Sequence, residues 1–167
     1  MPMSSSSAAS AGGVWDSALA LDVLKRVFGH SAFRGDQERV LSSLAARRDV
    51  LCIAATGAGK SLCFQFPSVW SRARAGGASG AHVTLVVSPL LALMEDQVAG
   101  LRKRGINAVA LSGSLAGDAE WEAAARGDYD IVYITPESLQ NWAKPAARLA
   151  ATGALELICV DEAHCVR

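Results

Sequence analysis

"AATGAGKSLCFQFP" (Ala54–Pro67) decides how this chain is read. Its spacing is that of a phosphate-binding loop, G-x-x-x-x-G-K-[ST], except that Ala54 stands where the first glycine belongs. Gly57 and Gly59 let the backbone curl so that its N–H groups, from Thr56 through Ala58 to Ser61, point inward at phosphate oxygens. The positive end of a helix starting near Lys60 adds to the attraction. Lys60 would reach the β- and γ-phosphates of a nucleotide, and Ser61 would offer a hydroxyl to Mg²⁺. Ala54 closes a strand or opens the loop, and neither place demands a positive φ. A glycine-rich βα turn with a chance lysine is the competing reading of this stretch by itself.

Working outward, strands and helices alternate. "DVLCIAA" (Asp49–Ala55) is a short apolar run bounded by turn signals, expected as a strand, and Lys60–Trp70 as a helix. "HVTLVVS" (His82–Ser88), "NAVALS" (Asn107–Ser112), "DIVYIT" (Asp130–Thr135) and "ALELICV" (Ala154–Val160) are further strands. Helices are expected over 90–104 and 115–126. Two more precede the loop, one carrying Leu19, Val23, Leu24 and Val27, the other over 37–46. The strands are continuous apolar runs, which means burial on both faces, as in a parallel sheet between helices. The predicted fold is therefore α/β, a three-layer P-loop domain over 14–167 with a mostly parallel sheet. The first thirteen residues, "MPMSSSSAASAGG", are expected as a polar, disordered tail.

In such a sheet, ligands sit at the carboxyl ends of the strands. "LICVDEAHC" places Asp161 and Glu162 at the end of the last strand, roughly a hundred residues after Lys60. A phosphate loop needs a carboxylate to hold Mg²⁺, and hydrolysis needs a group that orients water. Asp161 suits the first role and Glu162 the second. An isolated Asp-Glu is commonly a solvated turn; following an apolar strand downstream of a phosphate loop, it is not isolated.

Together these motifs resemble the superfamily two helicases, and more finely the RecQ family of ATP-dependent DNA helicases, nearest to its Werner type. "FGHSAFRGDQ" resembles the family's adenine-reading motif, "ATGAGKSLCFQFP" its motif one, "VVSPLLALMEDQVAGL" its motif Ia, and "YITPESL" the motif that follows. "VDEAHC" resembles motif two. The resemblance implies a RecA-like first motor domain whose partners are ATP, Mg²⁺ and single-stranded and duplex DNA. By it, Gln37 reads the adenine edge with Arg34 nearby, and Lys60, Asp161 and Glu162 carry the phosphate chemistry. Ser88 and Pro89, with Thr135, Pro136 and Glu137, face DNA phosphates, and His164 couples the nucleotide to the DNA side. It also implies 3′-to-5′ unwinding in recombination and repair, a nuclear location in a eukaryote (a plastid being the weaker alternative) and a cytoplasmic one otherwise. Two departures stand out: His30 where the family often stacks an aromatic residue, and "RGDQ" for the commoner "RPGQ". The family continues past this point with an aromatic-rich loop, a second motor domain bearing an arginine finger, a zinc-binding domain and a winged helix. The chain is therefore expected to hold the first motor domain, with turnover doubtful by itself.

Composition agrees without deciding. The 167 residues suit one domain, and 51% are hydrophobic, a figure inflated by alanine. Sixteen basic and sixteen acidic residues cancel, so any nucleic-acid contact must come from a local patch. Cys52, Cys63, Cys159 and Cys165 form no C-x-x-C pair, so no zinc site is expected from this segment; three of them read as buried free thiols. No run of eighteen apolar residues suggests a membrane span. Two rival functions remain: another P-loop ATPase with no DNA role, and a non-catalytic module that binds nucleotide or DNA without turnover.

Overall fold

The computed structural model describes residues 14–55, 57–77, 81–113 and 115–163. The N-terminal tail, Thr56, His164 and Cys165 lie outside the described residues. Four parallel strands form one sheet in the order β2-β3-β1-β4: β1 Val83–Val87, β2 Ala108–Leu111, β3 Ile131–Ile134 and β4 Leu155–Val160. Successive side chains along a strand point to opposite faces, so each strand serves two cores. Val83, Leu85 and Val87 of β1, with Val132 and Ile134 of β3, pack against Trp142, Ala146 and Leu149. Val86 and Tyr133 face the other way, toward Leu62, Phe66, Met94 and Leu101.

The first of these cores is closed by α5 (Asp118–Arg126) and α6 (Pro136–Ala151). α6 is not among the helices expected from the sequence, although it starts directly after the strand that ends at Thr135. Thr135 is in fact the helix N-cap, its Oγ1 accepting the Ser138 N–H, and Pro136 fills the first turn, where no N–H is required. α5 ends on Gly127 at φ 85°, and a Cβ there would lie 2.7 Å from the Ala81 side chain, so glycine is required.

The second core is closed by α1 (Ser17–Val23) with its π-helical continuation (Leu24–Phe28), α2 (Gln37–Ala45), α3 (Lys60–Arg74) and α4 (Leu91–Lys103). Trp15, Phe28 and Phe33 stack around Phe66 of α3 with ring centroids 5.5–6.3 Å apart. This aromatic cluster pins the N-terminal segment, and with it the turn leading into Gln37, onto the helix that follows the loop. Asp130 ties the far end of the sheet: it accepts from Arg72 Nη1 at 2.6 and 2.7 Å and from the Asn107 N–H at 3.0 Å.

Two expectations need correction. Residues 49–55 are not a strand. Arg47 turns the chain through a left-handed φ of 58°, and its Nη1 takes the Glu156 carbonyl of β4 at 3.3 Å, so the segment passes β4 without a hydrogen-bonded ladder. An apolar, β-branched run has no strand geometry to adopt without a neighbour to pair with. Nor, among the described residues, are three cysteines buried: Cys63 is buried and Cys159 partly so, while Cys52 is exposed in that unpaired segment. Burial pushes the Cys63 thiol up to about 11 and the Cys159 thiol up to about 12, so both stay protonated at neutral pH. No helix among the described residues is long and apolar enough to cross a membrane.

Candidate functional site

Gly57 and Gly59 sit at φ 81° and 80°, whereas Ala54 has no positive φ. Ala54 contributes its carbonyl, which accepts from Lys60 Nζ at 2.8 Å. A backbone carbonyl makes this contact, so it does not depend on which side chain stands at 54. The Ala58 N–H bonds the Ala55 carbonyl at 3.1 Å, and α3 begins at Lys60.

Gln37 is buried at 7% exposure, at the start of α2, and braces the loop from the side. Its Oε1 accepts the Arg34 N–H at 2.8 Å and its Nε2 donates to the Gly59 carbonyl at 3.0 Å. A Cβ on Gly59 would meet that Nε2 at 2.6 Å, so glycine at 59 admits the glutamine as well as the left-handed turn. The amide keeps one N–H and one acceptor lone pair for a base edge. His30, Arg34, Gln37, Gly59 and Ser61 line one cavity of about 170 Å³, together with Arg104.

On the other side of the loop lies a larger cavity, about 580 Å³, lined by Lys60, Cys63, Asp161 and Glu162. Asp161 leaves β4 with its N–H on the Val87 carbonyl at 2.9 Å, and its Oδ1 accepts the Glu162 N–H at 3.0 Å. Partial burial raises the Asp161 carboxyl above its ordinary range; the Glu162 N–H opposes this, the Glu162 charge adds to it, and Lys60 opposes it. Glu162 holds a left-handed φ of 50°, a strained conformation that a carboxylate turn adopts only when its surroundings enforce it. Lys60, Asp161 and Glu162, far apart in sequence, thus line one cavity, while Ser61 lines the cavity on the Gln37 side of the loop.

Among the described residues no group of three or more His, Cys, Asp or Glu could hold a metal. The donors present, the Ser61 hydroxyl and the Asp161 carboxylate, are hard oxygens. They suit a Mg²⁺ that keeps several waters and shares phosphate oxygens, rather than an all-protein cage.

The predicted DNA-facing residues fall side by side, because β1 and β3 are neighbours in the sheet. Ser88 follows β1 with its N–H on the Ile134 carbonyl at 3.0 Å; its hydroxyl is buried and has no partner. Thr135 follows β3, but its hydroxyl is committed to Ser138, donating to Oγ at 3.0 Å. Pro89 and Pro136 are half-buried, and Glu137 is exposed. Thr56 and His164 lie outside the described residues.

Gln65, Gln97 and Tyr133, which sit inside "ATGAGKSLCFQFP", "VVSPLLALMEDQVAGL" and "YITPESL" with no role assigned to them there, form a polar cluster against Ser61.

The DEAD/DEAH box helicase family matches residues 34–167. "ATP-dependent DNA helicase Q-like SIM" of Arabidopsis thaliana is 38% identical over 144 residues, 86% of this chain and 16% of that protein. "Bifunctional 3'-5' exonuclease/ATP-dependent helicase WRN" of Mus musculus is 38% identical over 151 residues, 87% of this chain and 10% of that protein. The chain therefore spans a small part of the length of its curated relatives. A crystal structure of a hypothetical ATP-dependent RNA helicase from Sulfolobus tokodaii shares the fold, with a TM-score of 0.54 at 17% identity, covering 84% of this chain and 49% of that one. The chain belongs to the DEAD/DEAH box helicase family and, within it, is similar to the RecQ-type helicases.

Proposed function

We propose that this chain is the first motor domain of a RecQ-type ATP-dependent DNA helicase, working 3′ to 5′ in recombination and repair, and nuclear in a eukaryote. The observation that carries the reading is the single cavity in which Lys60 meets Asp161 and Glu162. Lys60 places a point charge on the β- and γ-phosphates of ATP. Gln37, already fixed to Arg34 and Gly59, offers its remaining donor and acceptor to adenine. Ser61 and Asp161 would hold Mg²⁺, which neutralises charge on the phosphate oxygens when bound. Glu162 orients and deprotonates the attacking water. Ser88, Pro89, Thr135, Pro136 and Glu137 take one strand of DNA along the adjacent sheet edge. Such phosphate contacts position the strand without reading its sequence. An arginine finger contributes roughly 10³ to 10⁵ in rate to phosphoryl transfer; this chain supplies the carboxylate side of that chemistry.

The test compares Glu162→Gln with the parent in a full-length motor carrying these residues. ATP binding should be retained while DNA-stimulated hydrolysis falls to background. Hydrolysis at the parent rate in the variant would remove Glu162 from the reaction.

A further inference from the structure

Four polar side chains from three elements form a continuous chain beside the loop. Gln65 of α3 donates from Nε2 to Gln97 Oε1 of α4 and to Tyr133 Oη of β3, the latter at 3.1 Å. Tyr133 Oη donates to Gln97 Oε1 at 3.3 Å, and Gln97 Nε2 donates to Ser61 Oγ at 3.4 Å. Tyr133 is 2% exposed, and burial holds its phenol well above the ordinary range, so it stays a donor at any working pH. Because Gln97 Oε1 accepts twice, its Nε2 is left facing Ser61.

We propose that Gln97 is a positioning residue for the Ser61 hydroxyl, held in place by Gln65 and Tyr133. This deepens the nucleotide reading above and rests on it. A serine hydroxyl has one O–H and two lone pairs. The Gln97 amide occupies one lone pair, which leaves the other lone pair and the O–H for a cation and a phosphate oxygen. At 3.4 Å the Gln97–Ser61 contact is the longest of the links, beyond the usual 2.7–3.2 Å for such bonds, so it is the one with room to tighten. The brace also reaches the two elements bordering the predicted DNA edge. α4 starts two residues after Pro89, and Tyr133 lies two residues before Thr135.

The test uses the full chain and the affinity of a fluorescent ADP, titrated with and without Mg²⁺. Gln97→Leu should leave Mg²⁺-free affinity unchanged and cut the Mg²⁺-dependent gain about fivefold, as for roughly one hydrogen bond. Tyr133→Phe, which keeps the buried ring, should cut the gain less, and it carries the test if the leucine variant fails to fold. In a Ser61→Ala background, Gln97→Leu should cost nothing further, since the group it positions is gone. A Mg²⁺ gain at parent level in both single variants, or a full additional loss in the Ser61→Ala background, would overturn the proposal. A Lys60→Ala chain that binds as tightly as the parent would instead overturn the nucleotide reading beneath it.

Discussion

β1, β2 and β3 are buried along their whole length, whereas β4 and the segment leading into the loop leave Leu51 at 84%, Ile53 at 88%, Ile158 at 55% and Val160 at 49% exposure. Both regions are written in the same apolar, β-branched alphabet: "VTLVV" and "IVYI" on one side, "VLCIAA" and "LICV" on the other. An apolar run records a demand for burial, and its neighbours decide whether that demand is met. The chemistry hangs from the less buried side. Lys60 follows the unpaired segment, and Asp161 follows β4, while the three buried strands supply the rigid frame from which α3 and α4 are positioned.

The comparison is broken most forcefully by truncating one side chain in each region. Trp142→Ala empties the core between β3 and α6 and should cost about 3–5 kcal/mol in denaturant unfolding. Ile53→Ser, in the unpaired segment, should change stability by no more than about 0.5 kcal/mol. Equal losses would mean that the lead-in is packed in solution as tightly as β1.

A smaller effect sharpens the role of the loop's own brace. Gln37→Ala removes the contacts to Arg34 and Gly59 together with any contact to a base. If Gln37 reads adenine, preference for ATP over GTP should fall by about 1–3 kcal/mol in competitive binding. An unchanged ratio with both nucleotides weakened would leave Gln37 as a brace only.

The smallest expected effect concerns pH. The Asp161 carboxyl is raised in the folded chain, chiefly by burial. The folded state therefore keeps that proton to higher pH than the unfolded one, and stability falls as pH rises from the unfolded carboxylate range through the raised folded value. Asp161→Asn cannot ionise, so it should melt slightly higher than the parent at neutral pH and converge with it in acid. A lower melting temperature at neutral pH would show that the ionised carboxylate is well accommodated.

Much of this was legible in the sequence because the strands needed on both faces are uninterrupted apolar runs, and because the loop and the Asp-Glu turn carry their chemistry in short spacings. Gly57, Gly59 and Lys60 could be placed by local conformation alone. Other features depended on three-dimensional neighbours. The 49–55 run looked like its fellow strands until Arg47 took the Glu156 carbonyl. α6 was hidden because Thr-Pro ends a strand and caps a helix with the same residues. Gln97 reads as an ordinary polar position of a helix; only the approach of Tyr133 and Gln65 gives it a direction.

The central claim is that Lys60 and Asp161 serve one phosphate and cation site. Calorimetry of ATP binding by the parent, Lys60→Ala and Asp161→Asn, each with and without Mg²⁺, tests it directly. The account predicts that Lys60→Ala loses at least about tenfold in affinity whether or not Mg²⁺ is present, as expected for a contact to charged oxygens. It predicts that Asp161→Asn loses only the part of the affinity that Mg²⁺ adds. Parent-level affinity in Lys60→Ala, or a Mg²⁺ gain in Asp161→Asn equal to that of the parent, would contradict it.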